Sequence, residues 1–224
     1  MNKAFIFDMD GVIVNSEPTW ERYETIFLPK LLGQQVYQAI KSQILGNTVD
    51  AIYQLAIKSG VTITKDRYIN TYDQYAQKVY TESEITPNID SLIDQLVEKG
   101  FQVGLVSASR QNWIDIVLSR LKNSSQFSYI ASTNDLKMPP KPSPVGYLTA
   151  IQALGATPKT SVIIEDTKKG VQAAKASGAY TICFTKYLPK NYLPTGANKY
   201  IDDLKDVFPL WSPSSTTASA IWVV

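Results

Sequence analysis

Apolar residues along the chain fall into two alternating patterns. Short unbroken apolar runs occur at Ala4-Phe5-Ile6-Phe7, Gln102-Val103-Gly104-Leu105-Val106, Ser161-Val162-Ile163-Ile164 and Tyr180-Thr181-Ile182-Cys183-Phe184, with a weaker one at Ser128-Tyr129-Ile130-Ala131. Runs of this length with β-branched and aromatic residues predict strands buried on both faces. Between them the apolar positions recur at helical spacing, which predicts helices over about 88–99, 111–121, 144–154 and 168–177. Gly100, Gly155 and Gly178 follow three of these as C-terminal stops. Strand-helix alternation of this kind predicts an α/β fold with a doubly wound parallel sheet.

Residues 17–83 break that rhythm. They hold no convincing strand, and the amphipathic stretches Trp20 to Leu32, Val36 to Leu45, Val49 to Ser59 and Lys65 to Tyr80 predict a small helical bundle. The expected organisation is a catalytic core over residues 1–16 plus 84–208, a helical cap over 17–83 inserted after the first strand, and an irregular Ser/Thr/Pro-rich tail over 209–224.

Composition narrows the chemistry. Of 224 residues, 44% are hydrophobic, enough for a buried core. The net charge is only +2, with Lys and Arg scattered, so no nucleic-acid partner is expected. Cys183 is the only cysteine, which fits a reducing, cytoplasmic setting. The apolar start is too short for a signal-peptide core and no segment approaches a membrane span, so no membrane partner is expected. The closing Ala220-Ile221-Trp222-Val223-Val224 is long enough only to pack against protein. There is no histidine, which removes histidine triads, histidine zinc sites and histidine bases. Acid/base chemistry falls to carboxylates, Lys, Tyr and one Cys.

The polar residues that close the apolar runs are the candidates. Asp8 and Asp10 follow the first run, Ser107 and Ser109 the second, and Glu165 with Asp166 end a third. Lys141 lies in the loop Met138-Pro139-Pro140-Lys141-Pro142. In a doubly wound sheet, ligands bind beyond the carboxyl ends of the strands. Carboxylates there suit a hard cation such as magnesium, and a hydroxyl with a Lys suits a phosphate. Each residue also has a plainer reading. Asp8 or Asp166 as a helix cap, Ser107 as a turn residue, Lys141 as a surface charge and Glu165 as a structural partner of Lys141 all remain open one by one. Their joint placement carries the inference.

Asp8-Met9-Asp10-Gly11-Val12, Ser107-Ala108-Ser109, Lys141-Pro142-Ser143-Pro144 and Glu165-Asp166-Thr167 resemble the four ordered motifs of the haloacid dehalogenase superfamily. The similarity runs from the first strand to about residue 205. Val12, the Glu165-Asp166 pair and Ser16-Glu17-Pro18 resemble the branch of β-phosphoglucomutase and sugar-phosphate phosphatases. The resemblance implies Asp8 as nucleophile and Asp10 as general acid/base. It implies phosphate binding by Ser107, the Ala108 N–H and Lys141. It further implies Mg2+ held by Asp8, the Asp10 carbonyl, Glu165 and Asp166, with a small phosphorylated metabolite as partner and a monomeric or weakly associating chain.

Within that family, halide displacement needs no second aspartate, so Asp10 argues for phosphoryl chemistry. Val49 stands where a β-phosphoglucomutase-type mutase presents an Arg, and Trp20 stands where a His is common. Both disfavour the mutase alternative. Asn15 and Val145 depart from family acids outside the inferred contacts. The expectation is therefore a phosphomonoester hydrolase, with a mutase as the alternative and a non-catalytic phosphoacceptor or binding module as the alternative of another class.

Overall fold

The structure, a computed structural model, describes residues 2–44 and 47–211, without the side chains of 209–211. In chain order the elements are β1 (Asn2–Phe7), β2 (Val14–Asn15), α1 (Glu17–Leu32), α2 (Gln34–Ile40), α3 (Val49–Lys58), α4 (Lys65–Glu82) and β3 (Glu84–Ile85). There follow α5 (Ile89–Glu98), β4 (Phe101–Ser107), α6 (Gln111–Leu118), β5 (Phe127–Ser132), α7 (Val145–Ala153), β6 (Ala156–Glu165), α8 (Lys168–Ala176), β7 (Tyr180–Phe184) and β8 (Lys199–Ile201).

Six strands form one sheet in the order β5-β4-β1-β6-β7-β8, and every neighbouring pair is parallel. The doubly wound parallel sheet expected from the sequence is the one observed. β1 sits between β4 and β6, so the chain winds outward on one side of β1 and then on the other. That reversal makes the carboxyl end of β1 a topological switch point. Ala4, Phe5, Ile6 and Phe7 have no exposed surface, which is why β1 reads as an unbroken apolar run.

Each face of β1 has its own layer. Ala4 and Ile6 join a cluster with Val106 of β4, Ile163 of β6, Tyr147, Ala150 and Ile151 of α7, and Ala173 and Ala174 of α8. Phe5 and Phe7 face aromatic neighbours instead. The Phe5 ring lies edge-on 6.4 Å from Phe101, and the Phe7 ring 6.1 Å from Phe127. A core side chain of this size contributes roughly 1.5–3 kcal/mol on burial.

The chain divides into two compact units, Asn15–Glu84 and the remainder. The first is helical and has an aromatic interior. Phe27 of α1 stacks on Tyr75 of α4 at 4.5 Å, Trp20 lies 5.5 Å from Tyr72, and Tyr68 lies 5.0 Å from Tyr72. Thr48 and Thr64 cap α3 and α4 by accepting from the backbone N–H groups of Ala51 and Arg67.

Several elements differ from the sequence expectation. β6 starts at Ala156, five residues before its apolar run, through a stretch containing Pro158. β8 has three residues, two of them exposed, and so lacks an apolar signature. The stretch around Val36 to Leu45 is α2 followed by a 3-10 turn over Lys41–Gln43, and Leu45 lies outside the described residues. A 3-10 run over Leu204–Trp211 extends into the segment expected to be irregular, whereas 212–224, including the apolar Ala220–Val224, lie outside the described residues. No helix among the described residues is long and apolar enough to cross a membrane.

Candidate active site

The site lies at the switch point. Phe7 pairs with Leu105 on one side and Ile164 on the other, so the next residues in register place Asp8 beside Glu165. The Asp8 N–H continues the ladder by donating to the Ile164 carbonyl at 3.0 Å. The chain then turns sharply. The Met9 carbonyl accepts from the N–H groups of Val12, Ile13 and Val14, and Gly11 takes a left-handed conformation with φ of 80°. Only glycine suits this position for a second reason: a Cβ on Gly11 would lie 1.9 Å from Asp166 Oδ2.

Lys141 bridges two strand-end carboxylates. Its Nζ donates to Asp8 Oδ1 at 2.5 Å and to Glu165 Oε1. Glu165 has no exposed surface and both of its oxygens are occupied. Oε1 accepts from Lys141 and from the Tyr147 hydroxyl at 2.7 Å; Oε2 accepts from the Asp166 and Thr167 N–H groups and the Thr167 hydroxyl. Lys141 also lies over the Tyr147 ring, 5.2 Å from its centroid.

Electrostatics divides the acids. Burial, assisted by Glu165 and Asp10 and opposed by Lys141, pushes the Asp8 carboxyl up to about 8. Burial also raises the Asp166 carboxyl well above the ordinary carboxylate range, with Glu165, Asp8 and Asp10 adding to it. Glu165 moves the other way: burial disfavours its charge, but Lys141 and its hydrogen bonds outweigh that and hold it low. Lys141 is buried too, and the charges of Asp8 and Glu165 keep it firmly protonated.

A divalent cation fits this arrangement on the structure's own terms. One carboxylate oxygen each from Asp8, Glu165 and Asp166 lie within 4.8 Å of one another. Asp166 Oδ1 is buried with no hydrogen-bond partner, an expensive condition unless a cation is its partner. Crowded, desolvated carboxyls raised in this way are those a hard cation returns to the charged form.

Other predicted residues also meet at this end of the sheet. Ser107 closes β4 and is buried, and its hydroxyl accepts from the Ser109 N–H at 3.0 Å. Ala108 between them is exposed. The Ser109 hydroxyl donates to Asp10 Oδ2 at 2.7 Å, linking the β4 end to the loop after β1. The plainer reading of Asp166 as a helix cap does not hold, because Thr167 is the N-cap of α8 and accepts from the Gly170 N–H.

Sequence reasoning missed two residues. Tyr147 sits at a core position of α7, and nothing in its spacing signals a hydroxyl aimed at Glu165. Gly170 lies inside α8, where a Cβ would come 1.9 Å from Glu165 Cδ. A glycine in the first turn of a helix that follows two acids is the one signal available for it.

Comparison with known proteins identifies the family and the fold. The profile of the family described as haloacid dehalogenase-like hydrolase matches residues 5–184. The chain is 29% identical over 177 residues to hexitol phosphatase B of Escherichia coli strain K12, covering 78% of this chain and 79% of that protein. It is 29% identical over 192 residues to β-phosphoglucomutase of Bacillus subtilis strain 168, covering 80% and 82%. The crystal structure of CbbY from Rhodobacter sphaeroides in complex with phosphate shares the fold, with a TM-score of 0.73 at 18% identity over 93% of this chain and 97% of that one. The profile spans the core from β1 to β7, and the chain is an enzyme belonging to the haloacid dehalogenase-like hydrolase family.

Proposed function

We propose that this enzyme is a magnesium-dependent phosphomonoester hydrolase that acts on a small, sugar-phosphate-like metabolite through an aspartyl-phosphate on Asp8. The observation that carries the reading is the buried cluster in which Lys141 bridges Asp8 and Glu165 while Asp166 keeps an unpartnered oxygen.

The chemistry follows from where each group sits. An Asp8 oxygen attacks phosphorus in line, forming an O–P bond as the ester P–O bond breaks. Asp10, two residues on and held by Ser109, gives its proton to the leaving oxygen. Asp10, now a carboxylate, takes a proton from water as that water attacks phosphorus. The O–P bond to Asp8 then breaks, and phosphate and the starting carboxylate are restored. Ser107 uses its own hydroxyl hydrogen, together with the Ala108 N–H and Lys141, to hold the phosphoryl oxygens.

Asp8, the Asp10 carbonyl and Asp166 would hold Mg2+, which when bound neutralises charge between the nucleophile and the phosphoryl group. Glu165 stands beside that set, but its oxygens already accept five donors. Its role in this reading is to hold Lys141, and any metal contact is secondary. The helical unit Asn15–Glu84 is assigned the role of substrate-selecting cap.

Hydrolysis is preferred over phosphosugar transfer because Val49 and Trp20 replace the groups a mutase uses to hold a second phosphate. The resemblance to β-phosphoglucomutase keeps transfer as the second reading. Release of phosphate from p-nitrophenyl phosphate by chelated and magnesium-restored enzyme tests the proposal. Magnesium-dependent release is expected; no turnover at any magnesium concentration would overturn it. Conversion of β-glucose 1-phosphate to glucose 6-phosphate, with bisphosphate present and without net phosphate release, would favour the mutase.

A further inference from the structure

We infer that Ser109 is a positioning residue for Asp10, keeping its carboxyl aimed at the leaving oxygen through both halves of the reaction. The inference rests on the acid/base reading of Asp10 and deepens it.

The Ser109 hydroxyl donates to Asp10 Oδ2 at 2.7 Å across 99 positions of sequence. Ser109 is fixed on its backbone side as well. Its N–H donates to the Ser107 hydroxyl at 3.0 Å, and its carbonyl accepts from the buried Ser132 hydroxyl at 2.7 Å. Ser132 is anchored in turn, since its hydroxyl also accepts from the Asp135 N–H at 3.0 Å. The ends of β4 and β5 thus form a rigid shelf, and the Ser109 side chain projects from it to the loop that carries Asp10.

The residue type fits the task. A group that both gives and takes a proton needs a partner suited to both of its states. A Lys or a backbone N–H can only donate, so it would favour the carboxylate and could not accept from the O–H of the protonated acid. A hydroxyl donates to the carboxylate and accepts from the protonated acid without moving. Ser109 therefore stays a partner of Asp10 whichever way the proton has gone. In this role it acts through Asp10, as a positioning residue rather than a catalytic one.

The leaving group separates this role from a structural one. p-Nitrophenolate departs without a proton, whereas benzyl alkoxide needs one, and kcat/KM reports the step in which the ester bond breaks. Ser109→Ala, Ser109→Thr and Asp10→Asn are compared with the parent enzyme on benzyl phosphate and p-nitrophenyl phosphate, with magnesium present.

Ser109→Ala is expected to lower kcat/KM for benzyl phosphate roughly tenfold, the scale of one hydrogen bond to a charged group, with p-nitrophenyl phosphate within about twofold. Ser109→Thr, which keeps the hydroxyl, is expected to restore most of the loss. Equal losses on both substrates, no loss on either, or no recovery with Thr would overturn the inference. Asp10→Asn separates the two levels. A benzyl-selective loss in Asp10→Asn without one in Ser109→Ala overturns the Ser109 role alone; equal losses on both substrates in Asp10→Asn overturn the acid reading and the inference with it.

Discussion

At the scale of single residues, the site is held by close approaches as much as by charge. Gly170 shows this best. Glycine inside a helix normally costs about 1 kcal/mol relative to alanine, so Gly→Ala usually stabilises. Here a Cβ would sit 1.9 Å from Glu165 Cδ and 2.0 Å from its oxygens, and Glu165 has no exposed surface into which to retreat. Gly170→Ala is therefore expected to destabilise the chain by about 2 kcal/mol, the scale of overpacking, and to cut phosphatase activity by releasing Lys141. A thermal melt read beside an activity assay checks it, and a raised Tm would contradict it. Residues of this kind are illegible in sequence. Asp8 and Asp166 stand out as polar groups that end or follow apolar runs, and Lys141 as a charge in a Pro-bracketed loop. Tyr147 looks like one more core residue of α7, because its ring packs as a core residue does and only its hydroxyl is chemically engaged.

At the scale of elements, legibility followed burial. β1, β4 and β7 are apolar because both faces are covered, so their patterns are nearly continuous. The start of β6 and the short β8 carry mixed, partly exposed residues and left no such trace. The helices of Asn15–Glu84 were legible from their amphipathic spacing, but the polar group within them was not. Glu24 of α1 accepts from the Tyr72 hydroxyl of α4 at 2.8 Å, and burial pushes its carboxyl from 4.5 up to about 7, with Glu17 and Glu21 adding to the rise. The folded chain thus holds this proton to a higher pH than the unfolded chain. Its contribution is full below about pH 4.5 and is lost as pH rises through about 7. The loss should be on the order of 2 kcal/mol after allowance for partial exposure. Urea unfolding at pH 5 and pH 8 is expected to give a higher midpoint at pH 5, and Glu24→Gln should narrow that difference. An unchanged difference in the variant would contradict the assignment.

At the scale of the whole molecule, the winding of the sheet turns distant residues into neighbours. Residues 8, 107, 141 and 165–166 are far apart in the chain, but the doubly wound order brings the ends of β1, β4 and β6 together. The repulsion so created among Asp8, Glu165 and Asp166 is only partly relieved by Lys141, which links the site to global stability. A cation that binds the native chain alone raises its stability with concentration. Millimolar Mg2+ is therefore expected to raise the Tm of chelator-treated protein by a few degrees, and Asp166→Asn should abolish most of the rise. A shift of the same size in the variant would place the cation elsewhere.

The most direct test of the central claim, that Asp8 carries the phosphoryl group, is chemical trapping. Enzyme mixed with magnesium and p-nitrophenyl phosphate is quenched in acid within a turnover, reduced with borohydride, digested and sequenced by mass spectrometry. Borohydride converts an aspartyl-phosphate to homoserine. The account predicts homoserine at position 8 in the parent enzyme. In Asp8→Asn it predicts none, together with a circular dichroism spectrum matching the parent and turnover reduced at least about a thousandfold. Phosphate release without modification of Asp8, or homoserine at another aspartate, would contradict it.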